Sequence, residues 1–291
     1  MDRRAFLATA AAVTAGCGQG DSGPDTATDS NDTPTETPSS GGSTPTETET
    51  PAPASVAAVD VSVPSTIEIG TPGTLSVTLE NTGGQSGSFE SEVEATVGTG
   101  DWEGTGATVA ETVDPGERVT AQVELPANHY VEPASYRLAD AEPVARTRFV
   151  AREIAIGEDH ELPNGVVLSV GDVAIGGSYT YEGDDGETTA DPPGGDKWAV
   201  GTVRAENTSE EAARAPLVSD FAFYRGGEEY SYRHLGDNRD RYRGGELAPG
   251  AVSEGDLPTN VPVDADRADL RGQYSEDLEG GRVTVHWLLG E

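Results

Sequence analysis

The chain has 291 residues, with 52 acidic side chains against 18 basic ones and a formal net charge of -34. A body this acidic is repelled by nucleic-acid phosphates and by anionic membrane surfaces, so neither is expected as a partner. Cys17 is the only cysteine, which excludes an internal disulfide.

Residues 1–17 read as an export address. Arg3 and Arg4 supply a basic start, Phe6 to Ala15 an apolar stretch, and Ala15 and Gly16 small residues before Cys17. The stretch is too short to span a bilayer, which takes about 20 apolar residues. Arg3 and Arg4 followed by Phe6 and Leu7 resemble a twin-arginine export signal. Thr14-Ala15-Gly16-Cys17 resembles a lipobox, with Thr14 where that family usually carries Leu. The resemblance implies a diacylglycerol-type lipid on the Cys17 thiol and cleavage that leaves Cys17 first. The chain would then be anchored stably to the extracytoplasmic face of the cell membrane. The alternative is an ordinary cleaved signal beside an incidental cysteine.

Lys197 is the only lysine, and the aliphatic side chains are small. With the acid excess, this resembles the composition of haloarchaeal proteins. Self-repulsion of that size opposes compaction in dilute buffer. In molar salt the screening length falls to about 3 Å, and the opposition fades. The globular part is expected to loosen as salt is removed.

Residues 18–55 are almost wholly Thr, Pro, Glu, Asp, Ser and Gly, with Thr-Pro-Thr-Glu-Thr at 33–37 and again at 44–48. Such a segment cannot bury enough surface to offset its ordering entropy and reads as a disordered tether. Fully stretched it would reach on the order of 120 Å. It is either a plain spacer or a carrier of O-linked sugars.

From Val56 the pattern changes to period two. Leu75, Val77 and Leu79 alternate with polar residues, as do Val93, Ala95 and Val97, and then Val119, Ala121, Val123 and Leu125. Turn signals at Asn81 to Gly84, Gly98 to Gly100 and Asp114 to Gly116 separate them. Residues 56–150 are therefore expected to form an antiparallel β-sandwich. The runs Leu75 to Gly84 and Val113 to Val123 are similar to Ig-type, cell-adhesion-related (CARDB-like) domains of surface proteins. Trp102, between glycines, is expected to fold onto the sandwich edge.

Residues 151–291 read as a second all-β unit. Lys197 to Thr208 is its expected central strand. Trp198 and Val200 share a face and Val203 and Ala205 fall out of phase, so a bulge is expected at Gly201. Phe221 and Phe223 make an inward pair, and Val283, Val285 and Trp287 alternate as a half-buried strand. Glu80-Asn81-Thr82 and Pro115-Gly116 are echoed by Glu206-Asn207-Thr208 and Pro249-Gly250, which points to a shared plan. Leu247 to Leu257 with Val261 to Asp264 resembles Ig-like domains of unknown function that close many prokaryotic surface lipoproteins. That family implies an extracytoplasmic, non-enzymatic module. The fold expected is thus all-β, with two tandem Ig-like antiparallel β-sandwiches after a disordered Thr/Pro/Glu-rich tether.

Little chemistry stands out. His129, His160, His234 and His286 lie on different elements, none at metal-ligand spacing. A blue-copper centre needs a thiolate and usually a methionine, and Met1 is the only methionine. The acidic run Glu182 to Glu187 does not fit an EF-hand and reads as a solvated loop. No cofactor, metal or catalytic group is expected. Asn31 and Asn207 fit the N-glycosylation acceptor pattern. Arg233, Arg239, Arg241 and Arg243, with Tyr232 and Tyr242, form the densest basic cluster. They would either dock an acidic partner or pair with Glu228, Glu229, Asp237 and Asp240. The function expected is a lipid-anchored, non-catalytic surface protein for adhesion, envelope contact or assembly with a surface or envelope protein. The alternatives are a small-ligand or sugar receptor, marked by a pocket lined by Trp198 or Tyr232, and, last, an enzyme.

Overall fold

The computed structural model describes residues 50–290 apart from Asp140 and Asp237. The export signal, Asn31 and residues 18–49 of the tether lie outside the described residues. The end of the expected disordered tether is instead held on the first sandwich: the Gly84 amide donates to the Ala52 carbonyl, the Thr82 amide to the Ser55 carbonyl and the Ser55 amide to Asn81 Oδ1. Residues 50–291 form one compact unit. It is all-β: strands make up its regular structure, with three short 3-10 turns and no α-helix among the described residues.

Eight strands build a first sandwich. They are β1 (Val56–Ser62), β2 (Thr66–Glu68), β3 (Gly73–Asn81), β4 (Gly87–Val97), β5 (Glu103–Val113), β6 (Arg118–Leu125), β7 (Pro133–Leu138) and β8 (Ala145–Val150). One sheet has the order β1-β3-β6 and the other β2-β8-β7-β4-β5. The alternation read from the sequence places the core. Leu75, Val77 and Leu79 are fully buried on β3, facing Val93, Val109, Leu138 and Phe149 from the other sheet. Trp102 lies just before β5, half-buried, with the Arg137 guanidinium 4.3 Å over its ring.

The second sandwich begins at β9 (Arg152–Ala155), β10 (Asp159–Glu161), β11 (Val166–Gly176), β12 (Tyr179–Gly183), β13 (Gly186–Ala190) and β14 (Lys197–Asn207). It continues through β15 (Ala213–Ala215), β16 (Phe221–Arg225), β17 (Glu228–Ser231) and β18 (Gly245–Leu247). It ends with β19 (Val252–Val261), β20 (Arg271–Leu278) and β21 (Gly281–Leu288). Its sheets are β10-β11-β14-β19 and β17-β16-β20-β21-β9, with two added hairpin-like pairs, β12-β13 and β15-β18. Phe221, Phe223, Val283, Val285 and Trp287 point into its core as the alternation predicts.

The expected bulge at Gly201 is not there. The β14 strand pairs with β19 without a break from Lys197 to Glu206. Ala199, Gly201, Val203 and Ala205 all face inward in strict alternation, and Trp198 and Val200 face out. Trp198 is nevertheless only 1% exposed, because the β12-β13 hairpin covers it with Tyr179 and Tyr181. Gly201 stays small for a packing reason: a Cβ there would sit 3.0 Å from the Phe223 ring. The bulge belongs to the neighbouring strand, where Gly171 and Asp172 together oppose the single Thr202 between the pairs Val170–Val203 and Val173–Gly201.

The echo between the halves is structural. Asn81 and Asn207 are both fully buried at the ends of β3 and β14. Asn81 donates from Nδ2 to the carbonyls of Gln85 and Val113, and Asn207 to those of Glu211 and Leu247, all at 2.8–2.9 Å. The Asn81 and Asn207 carbonyls accept from Gly116 and Gly250, the turn glycines. Each sandwich also adds a short early strand parallel to its last one, β2 beside β8 and β9 beside β21.

No strand ladder crosses between β8 and β9, but the two sandwiches touch along a joint. The Val131 amide donates to the Arg282 carbonyl at 2.7 Å. Tyr130 lies so close over Gly280 that a Cβ there would collide with its ring. Arg152 on β9 pairs with Glu68 on β2 at 3.3 Å. His160 on β10 is 6% exposed and packs against Gly70, where a Cβ would sit 3.2 Å from its ring.

Candidate functional site

The Arg/Tyr cluster forms a strap that wraps one edge of the second sandwich. Tyr230 pairs with Phe223 in one sheet, and two residues on Tyr232 bridges Thr259 in the other. The chain has changed sheets, and the Arg233 amide donates to the Pro258 carbonyl at 2.8 Å. The strap then crosses the outer face and returns beside β19, where Arg241 bridges Asp256. Here its backbone passes so close that a Cβ on Gly255 would strike Arg241 and Tyr242.

Two tyrosines peg the strap down. Tyr232 is half-buried against the core. Tyr242 is completely buried, stacks edge-on against Phe221 at 5.6 Å and donates its hydroxyl to the Pro216 carbonyl at 2.9 Å. Burial pushes its phenol well above the ordinary value. Tyr242 is therefore a core residue, which corrects its expected place on a docking surface.

The four arginines divide. Arg239 donates to Asp184 Oδ1 at 2.7 and 3.1 Å and so ties the strap to the β12-β13 turn. Its guanidinium serves that contact. Arg241 Nη1 lies 3.2 Å from His234 Nδ1. Arg233 and Arg243 are exposed, with no side-chain hydrogen bond or ion pair among the described residues. The predicted pairing with Glu228, Glu229 and Asp240 does not occur. Glu228 accepts the Tyr230 hydroxyl, Glu229 accepts Tyr224 and Ser231, and Asp240 accepts the Glu182 amide. Asp237 lies outside the described residues.

Beneath the strap sits a small polar network. Asp256 accepts the Tyr179 hydroxyl at 2.9 Å, and the buried Asn238 donates to that same oxygen at 3.2 Å. Burial, with Asp240 nearby, raises the Asp256 carboxyl above its usual range. The acidic run Glu182 to Glu187 is a tight hairpin turn in which Asp184 holds Arg239.

Asn207 is corrected as a glycosylation site. Both hydrogens of its amide are donated inside the fold, and its Oδ1 accepts from the Ser209 amide and hydroxyl. The nitrogen that a sugar would join is inaccessible in the folded chain. Trp198 is closed off from solvent beneath Tyr179 and Tyr181, and its indole N–H donates to the Ala190 carbonyl at 3.0 Å. Cys17, Arg3, Arg4, Phe6, Leu7 and Asn31 lie outside the described residues. Among the described residues no three His, Cys, Asp or Glu side chains converge as metal ligands. No helix there is long and apolar enough to cross a membrane.

Two groupings escaped the sequence reading. His129 and His160 meet at the joint, and Tyr224, Gln273 and Ser275 share an outer sheet face. The first pair is brought together by tertiary structure alone. The second left a trace, a small Ala222 and Ser275 among larger polar residues at outward positions of two strands.

These features define an all-β protein of two sandwiches, the second bearing a pegged basic strap. No protein-family model matches the chain, and no curated protein matches it. Among solved structures it is similar to an uncharacterised β-sandwich protein of Clostridium difficile 630, at 13% identity over 47% of this chain and 94% of that one, TM-score 0.32. It is also similar to MPT63, a secreted protein of Mycobacterium tuberculosis, at 16% identity over 48% and 98% of the two chains, TM-score 0.34. A third is the yjhA protein of Bacillus subtilis, at 17% identity over 46% and 98%, TM-score 0.34.

Proposed function

We propose that the chain is a lipid-anchored, non-catalytic surface protein of a halophilic, archaeal cell. In this reading residues 1–17 direct twin-arginine export and lipidation of Cys17, and 18–55 form the tether. Residues 56–150 and 151–291 are two Ig-like modules held off the membrane, and the strap of the second docks an acidic surface or envelope partner. The observation that carries the docking is the pair Arg233 and Arg243, exposed and without a carboxylate partner among the described residues, on a chain of net charge -34. Arginine combines charge, planar hydrogen bonding and stacking, and is enriched where binding energy concentrates.

Charge arithmetic sets the conditions. At long range the whole molecule repels an acidic partner. In molar salt the screening length of about 3 Å confines electrostatics to direct contact. The local patch then decides, so docking is expected to strengthen as salt rises from dilute to molar.

The test is a crosslinking pulldown from membranes at native salt, comparing the unaltered chain with the double variant Arg233→Glu, Arg243→Glu. Loss of an acidic partner supports the dock, and retention of every partner rejects it. The anchor is tested separately with Cys17→Ser, which should move the protein from the membrane to the soluble fraction. Mass spectrometry showing a free thiol at residue 17 in membrane-bound protein would reject the lipid.

A further inference from the structure

The outer face of the β17-β16-β20-β21-β9 sheet carries a cleft of about 300 Å³ that shares no residue with the strap. Its floor is made of small side chains. Ala222 points away from the core, since Phe221 and Phe223 on either side point in, yet it is only 8% exposed. Ser231 and Gln273 lie directly across from it on the neighbouring strands, and Ser275 follows along β20. Tyr224 and Glu229 close one end, and Asp277 and Arg282 the other.

The groups at the walls are held in place by neighbours. Glu229 accepts the Tyr224 hydroxyl at 2.6 Å and Ser231 Oγ at 2.9 Å. Asp220 accepts the Leu217 amide at 2.7 Å, and Arg282 makes two bonds of 2.8 Å to Asp277. Gln273 Oε1 meets His286 Nε2 at 2.9 Å, which leaves its amide hydrogens for Tyr224 and for the cleft. Each carboxylate keeps unused lone pairs in a fixed position, so a ligand would lose little to reordering the site.

Charge and donor pattern select the ligand. Asp220, Glu229, Glu276 and Asp277 outnumber the guanidinium groups of Arg282 and of Arg271, which lies 5.4 Å over the Tyr224 ring, so an anion is repelled. A simple cation would satisfy the carboxylates but face the donors of Gln273 and Arg282. A polyhydroxyl compound both donates and accepts, and it matches acceptors and donors mixed at short range beside one tyrosine ring. The volume lies at the lower end of ligand pockets, which suits one or two sugar rings. We propose that this cleft binds a neutral saccharide, whose hydroxyls donate to Asp220, Glu229 and Asp277 and accept from Gln273 and Arg282. It does not depend on the strap or on the anchor.

The test titrates the full chain at native salt with methyl glucoside, methyl mannoside and methyl galactoside. Glucuronate serves as the anionic control and arginine methyl ester as the cationic one. The Gln273 side-chain amide is followed by NMR and the heat by calorimetry. At least one neutral glycoside is expected to shift that amide. Gln273→Ala and Asp277→Asn should each weaken binding about tenfold, and Ala222→Leu, which fills the floor, should abolish it. Gln273→Ala sits on an outward face and serves if Ala222→Leu fails to fold. The proposal is overturned if no neutral glycoside moves the amide or if only a charged control binds. Binding that survives Gln273→Ala and Asp277→Asn unchanged overturns it as well.

Discussion

Acid should weaken the joint between the sandwiches through His160. Its ring is packed against Gly70, with Arg152 and His129 as the charged or titratable groups beside it. Nε2 of His160 and Nδ1 of His129 are buried without a hydrogen-bond partner among the described residues. The His160 pKa is lowered from 6.5 to about 4, first by burial, then by Arg152 and His129. Between those two values the unfolded chain holds a proton that the folded chain refuses. Stability is therefore complete above about pH 6.5 and is lost as pH falls toward about 4. The difference of roughly 2.5 units corresponds to about 3 kcal/mol, a large part of the ~5–15 kcal/mol typical of a domain. Burial is the largest cause, so the effect should persist in molar salt, which screens only the contributions of Arg152 and His129. The assay is denaturant unfolding across this pH range, comparing the unaltered chain with His160→Leu. His286 is lowered too and acts in the same direction, while the raised Asp256 acts in the opposite one, so the comparison between chains isolates His160. Equal pH slopes in the two chains would refute the reasoning.

Gly280→Ala should cost about 1–3 kcal/mol, because its Cβ overlaps the Tyr130 ring; calorimetric melting reads the loss, and adding Tyr130→Ala should recover part of it. Asn207→Ala leaves the carbonyls of Glu211 and Leu247 without their donor and should cost at least ~2 kcal/mol by chemical denaturation. Asn81→Ala should cost a similar amount, since it makes the same contacts in the other sandwich. Dialysis from molar salt into dilute buffer should loosen the fold, and an unchanged circular dichroism spectrum would count against the charge argument.

Strands with one wet face were legible from the sequence, and those with two dry faces were not. Leu75, Val77 and Leu79 alternate because solvent lies opposite the core. Trp198 broke the alternation because a distant hairpin dries the outer face of its strand, and local pattern cannot report a cover made elsewhere. The same limit governs the strap. Tyr232 and Tyr242 point inward because the backbone leaves one sheet for the other between Tyr230 and Tyr232, a step with no periodic signature. The Asn81 and Asn207 echo was visible as letters. Its meaning, a buried amide stitching a strand end to two loops, needed the fold, and it is what removes Asn207 from the glycosylation sites.

The pairing of β2 with β8 has a mechanical consequence. Pulling the first sandwich between residue 50 and the start of the second draws those parallel strands in opposite directions along their length. Their hydrogen bonds are then loaded together in shear, where a hairpin peeled from its open end would give way bond by bond. A body hung from one end and gripped at the other gains resistance to rupture from that arrangement alone.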